Sequence, residues 1–69
     1  MVPRRIEDAL QQLRSEYQEM PMLSLTPGEV ARIVNVDSPT ARILLQALAD
    51  SHFLKHTRDG RFTRVVHQG

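Results

Sequence analysis

The chain has no cysteine and no tryptophan, and only three glycines, two phenylalanines and one tyrosine among its 69 residues. Without cysteine there is neither a disulfide framework nor a thiolate zinc site to staple so small a chain, so an ordinary apolar core has to hold it. A chain of this length sits near the lower limit for such a core, which leaves room for one domain, 1–69, and little for a cleft holding both cofactor and substrate. The few glycines form no phosphate loop, and no nucleophile motif is present; the expectation is a non-enzyme with no cofactor. No apolar run approaches the roughly 20 residues that span a bilayer, and Met1 to Asp8 lacks the apolar centre of a signal peptide. A soluble, cytoplasmic protein without a membrane role is expected.

Charge is nearly balanced at +1, but its distribution is not. Residues 1–37 carry four arginines against six acids, whereas residues 38–69 carry five cations (Arg42, Lys55, Arg58, Arg61, Arg64) against Asp50 and Asp59. Positive charge collects in the second half, as it does on a surface that faces nucleic acid.

Apolar residues at Ile6, Ala9, Leu10, Leu13, Tyr17 and Met20 recur every three or four positions, which predicts an amphipathic helix over 5–19 ended by Pro21. Leu23-Ser24-Leu25 alternates for three residues, enough for one short edge strand at 23–25. Thr26-Pro27-Gly28-Glu29 combines a cap, a proline at the first helical position and a glutamate three residues after the cap, so a helix is expected over 27–34 with Val30, Ala31, Ile33 and Val34 inward. Ser38-Pro39 repeats the cap-then-proline pattern and opens a helix over 38–50 with Ala41, Leu44, Leu45 and Leu48 on its core face. Ser51 or His52 stands where a glycine often supplies the left-handed exit.

Residues 53–66 read as a hairpin turned at Asp59-Gly60. A two-residue loop sets Lys55 opposite Arg64 and Arg58 opposite Arg61, two unfavourable like-charge pairs. A three-residue loop with Gly60 left-handed pairs Lys55 with Thr63 and Phe53 with Val65, and is the favoured register. His67-Gln68-Gly69 is expected to fray.

The order helix, short strand, helix, helix, hairpin resembles the winged helix-turn-helix family of DNA-binding domains over nearly the whole chain, mainly α with a small β-hairpin. The helix-turn-helix positions match residue by residue: Ala31 where the first helix meets the second, Asn35 at the turn, Val36 just after it, Ala41 early in the second helix and Leu44 three residues later. The runs Glu29-Val30-Ala31-Arg32-Ile33, Ser38-Pro39-Thr40-Ala41-Arg42 and Asp59-Gly60-Arg61-Phe62 are similar to the N-terminal domain of bacterial regulators of the IclR and MarR type. The chain departs from these at Ile43, where many carry arginine, and at His52, where they carry glycine.

The resemblance implies a small transcriptional regulator whose third helix enters the major groove of double-stranded DNA and whose wing lies on the backbone. Ser38, Thr40, Arg42, Ile43 and Gln46 would then face bases and phosphates: Arg42 a guanine edge or phosphate, Gln46 adenine, Ile43 a thymine methyl. Lys55, Arg58, Arg61 and Arg64 are the candidates for phosphate or minor-groove contact. The same cations on an edge hairpin also protect it from pairing with another chain. An alternative is a protein-interaction or homodimerisation module working through the acidic first helix or the Ile43–Ala47 face. Three histidines, His52, His56 and His67, lack ligand spacing and a completing carboxylate cluster, so no metal is expected. Glu7, Asp8, Glu16 and Glu19 read as the solvated side of the first helix rather than as an acid–base pair.

Overall fold

The structure is a computed structural model and describes residues 5–65. The expected hairpin end at Val66 and the fraying of His67-Gln68-Gly69 lie outside the described residues. Three helices, α1 (Ile6–Glu19), α2 (Pro27–Ile33) and α3 (Ser38–Asp50), pack with three short strands, β1 (Ser24–Leu25), β2 (Leu54–His56) and β3 (Phe62–Arg64). The strands form one antiparallel sheet in the order β1-β3-β2. The molecule is thus mainly helical with a small three-stranded sheet.

Local signals explain most element ends. At the start of α2 the Thr26 hydroxyl accepts from Glu29 N–H while the Glu29 carboxylate accepts from Thr26 N–H, a complete capping box ahead of Pro27. Asn35 follows with φ 57°, and Val36 N–H reaches back to the Ala31 carbonyl, so the α2–α3 turn closes as a Schellman motif on a residue that tolerates the left-handed region. The same motif ends α3: His52 has φ 65°, and Phe53 N–H bonds the Leu48 carbonyl.

At the start of α3 the sequence reading is corrected by one residue. Asp37, not Ser38, is the cap, with its carboxylate accepting from Thr40 N–H at 3.3 Å; Ser38 and Pro39 are the first two helical residues. Proline fits either first-turn position, because neither amide has an intrahelical acceptor.

The hairpin takes the three-residue loop. Lys55 pairs with Thr63 and His56 with Phe62, Val65 N–H bonds the Phe53 carbonyl, and Gly60 adopts φ 82°. β3 also pairs with β1 (Leu25 with Phe62), so the lone strand after α1 becomes one edge of the sheet.

The core is built from Ala9, Leu13 and Tyr17 of α1, Val30 and Val34 around α2, Ala41, Leu44, Leu45 and Leu48 of α3, and Leu25, Leu54 and Phe62 of the sheet. Three residues expected inward are not. Ile6 and Met20 lie more than half exposed at the two ends of α1, beyond the reach of the core, and Ile33 stands 37% exposed at the end of a helix only two turns long. Tyr17 joins the layers: its ring meets Phe53 edge-on at 6.5 Å, and its hydroxyl donates to the Phe62 carbonyl at 2.6 Å. Burial pushes its phenol up to about 12, opposed by the backbone hydrogen bond at Leu25 and reinforced by the negative charge of Glu29.

Candidate functional site

The outward side of α3 and the inner side of the β2–β3 hairpin border one groove, with the start of α2 as its third wall. Arg42 and Gln46 line it together with Pro27, His56, Gly60 and Phe62, over a volume of about 310 Å³. A second hollow of about 450 Å³ continues from it, bounded by Pro27, Ser38, Pro39, Arg42 and Ile43. Arg42 belongs to both, so it stands at the centre of a continuous surface.

Of the five α3 residues singled out by the sequence, Ser38, Arg42, Ile43 and Gln46 are exposed and come together on this surface. Thr40 is half-buried and its backbone N–H is held by Asp37. The Gln46 amide donates to Asp50 Oδ1 at 3.0 Å, one turn further along the same helix. A base contact by Gln46 therefore has to displace an existing partner.

The four hairpin cations have different surroundings. Lys55 is exposed opposite Thr63, and Arg58 is exposed at the loop; neither forms an ion pair among the described residues. Arg61 is differently placed: Nη1 donates to the Ser24 carbonyl at 3.0 Å and to Glu29 Oε1 at 3.2 Å, and Nε lies 3.7 Å from Asp59. It ties the hairpin to β1 and α2. Arg64 sits with its guanidinium over the Phe53 ring, 4.7 Å from the centroid, on the side of the molecule that faces α1. Arg64 differs from Lys55 because the strand period of two puts Phe62 and Arg64 on the inner face with Leu54, and Arg61 differs because Ser24 and Glu29 already hold its guanidinium.

Three carboxylates on this side of the molecule are held below their ordinary range, Glu29 and Asp59 beside Arg61 and Asp37 at the start of α3. For Glu29 the main cause is the backbone hydrogen bond from Thr26, with the Arg61 charge adding to it. For Asp37 it is hydrogen bonding from Thr40, side chain before backbone. For Asp59, at the hairpin loop, it is the hydrogen bond from the Thr57 hydroxyl. All three are ionised at neutral pH, so the surface carries both signs.

One groove residue escaped the sequence reading. His56, expected to be a surface histidine without a metal role, has its ring stacked on Phe62 at 4.5 Å and 7° and forms part of the hairpin's wall. The cross-strand register with Phe62 was the available signal. Among the described residues no three histidine or acidic side chains are placed to hold a metal ion, and no helix is long and apolar enough to cross a membrane.

Comparison of the chain with models of known protein families, with characterised proteins and with solved structures finds no match in any of the three.

Proposed function

We propose that this chain is a small cytoplasmic DNA-binding protein of the kind that regulates transcription, a winged helix with α3 in the major groove of duplex DNA and the β2–β3 hairpin as the wing on the backbone. The observation that carries this reading is the exposed surface shared by Ser38, Arg42 and Gln46 on α3, bordered by a hairpin whose Lys55 and Arg58 are free of ion pairs among the described residues. Arg42 supplies a forked donor for a guanine edge or phosphate, and Lys55 and Arg58 supply charge for the backbone.

Phosphate contacts release about 0.9 counterion each, so three contacts predict a log–log salt slope of about −3 per bound copy. Anisotropy titration of a labelled duplex at several salt concentrations measures that slope. Arg58→Ala should reduce it by about one unit, whereas Arg61→Gln should leave it unchanged, because the charge of Arg61 already faces Glu29 and Asp59. Absence of saturable binding at low salt, or binding indifferent to Arg42→Ala, would overturn the proposal.

A second reading has its own observation. Ile43 is 61% exposed in the hollow shared with Pro27 and Pro39, an apolar surface suited to a protein partner or a second copy. Under that reading Ile43→Glu abolishes self-association in sedimentation experiments and DNA has no effect.

A further inference from the structure

On the side of the molecule away from the α3 groove, a cleft of about 550 Å³ opens between α1, the end of α3 and the root of the hairpin. Its walls include Arg14, His52, Phe53 and Arg64, and no carboxylate among the described residues lines it. Both guanidinium groups lie over the same Phe53 ring, Arg14 at 5.4 Å and Arg64 at 4.7 Å from the centroid, so they are no farther apart than the sum of those distances. Neither forms an ion pair among the described residues. The Nε of Arg64 is shielded from solvent and has no hydrogen-bond partner.

Such an arrangement is unusual for a purely structural pair. A half-buried arginine normally finds an acceptor, since an unpaired buried donor is costly. Three carbonyls near the end of α3 already have partners: Ala47 accepts from Ser51 N–H, Ala49 from His52 N–H, and Leu48 from both Phe53 N–H and the Ser51 hydroxyl. The Phe53 ring orients the guanidinium groups through cation–π attraction but accepts no hydrogen bond along their edges. Two like charges thus share one aromatic ring, and the shielded Nε of Arg64 is left without an acceptor.

We propose that this cleft is a binding site for a small anion bearing a phosphate or carboxylate group, with Arg14 and Arg64 forking onto its oxygens and His52 at the rim. An oxyanion supplies the missing acceptors, cancels the repulsion between the two guanidinium groups and bridges α1 to the root of the hairpin. The site is separate from the α3 groove and does not depend on DNA binding.

The test is amide-resolved NMR titration of the whole chain with inorganic pyrophosphate and, separately, with citrate, at constant ionic strength set by chloride. Saturable shifts at Ser51, His52 and Phe53 are expected, and the probe that saturates first assigns the site to phosphate or to carboxylate ligands. Arg14 is exposed, so Arg14→Gln keeps the fold and should weaken binding about tenfold or more, the loss expected for a charge-assisted hydrogen bond. Arg64→Gln should do the same where its spectrum remains folded, and Arg58→Gln should have no effect. The proposal is overturned if neither probe gives saturable shifts, if Arg14→Gln binds like the wild type, or if the cleft responds to a DNA duplex and to neither small anion.

Discussion

Replacing Tyr17 by phenylalanine tests how the helical layer is locked to the sheet. The ring volume is kept, so the change isolates the hydroxyl that donates to the Phe62 carbonyl inside the core. Loss of a buried hydrogen bond that leaves its acceptor unfilled costs about 1–3 kcal/mol. A 69-residue domain has on the order of 3–10 kcal/mol in total, and each kcal/mol shifts Tm by roughly 4–8 °C at this size. A fall in Tm of about 5–20 °C is expected at neutral pH.

The alkaline arm fixes the cause. The phenol is raised from 10.0 to about 12 on folding, so the unfolded chain loses its proton first. The wild type's advantage over the variant is complete below pH 10 and disappears as pH rises toward 12, a change of roughly 3 kcal/mol for two pH units. Tyr17 is the only tyrosine and there is no tryptophan, so near-ultraviolet absorbance of tyrosinate reports this group alone. A titration midpoint near 10 in the folded protein, or equal thermal stability of wild type and Tyr17→Phe, refutes the assignment.

The two well-placed glycines should respond in opposite directions. Gly28→Ala adds a Cβ to the first turn of α2 where only Thr26 Oγ1 lies near, at 3.9 Å, and should stabilise by about 0.5–1 kcal/mol. Gly60→Ala meets no atom, yet forces alanine to φ 82° and should destabilise by about 1–2 kcal/mol in denaturant melts. Thr26→Ala, which opens the capping box, should cost about 1 kcal/mol. Glu29→Ala removes the box and the Arg61 tie together, and faster amide exchange at Phe62–Arg64 is its expected signature. Glu29, Asp37 and Asp59 are all lowered on folding, so their contribution is present above the ordinary carboxylate range and is lost as pH falls through their folded values. Acid titration followed by circular dichroism should show that loss, smaller in Glu29→Gln.

The elements were legible where several local signals agreed. Thr26, Pro27 and Glu29 mark one helix start, Asn35 takes the left-handed position at the α2–α3 turn, His52 takes the exit left open between it and Ser51, and the like-charge argument selects the three-residue hairpin loop. Legibility failed where a decision depends on depth or on a distant partner. Periodicity places Ile6, Met20 and Ile33 on apolar stripes, but cannot tell how far the core extends along a helix. The cap at Asp37 was missed because Ser38-Pro39 offers the same chemistry one residue later. Arg61 meets Glu29 across 32 positions, which no local pattern reveals, whereas the inward side of Arg64 follows from Phe62 two residues before it.

Splitting the hairpin cations has a consequence for the DNA reading. Under the DNA-binding proposal Arg42, Lys55 and Arg58 supply about three phosphate contacts, against the roughly 6–10 made by proteins whose binding is strongly salt-dependent. On the same proposal one copy should therefore bind weakly, and two copies on sites about one helical turn apart should bind more tightly. The prediction is that a duplex of two turns binds two copies cooperatively and a duplex of one turn binds one copy weakly. Ile6, Met20 and Met22 at or beyond the ends of α1, and Ile43 on α3, are exposed apolar side chains that such a second copy would have to cover. Stoichiometry by sedimentation on the two duplexes decides it: independent, equally weak binding on the longer duplex removes the dimer argument, and Ile43→Glu separates the α3 surface from α1 when cooperativity is present.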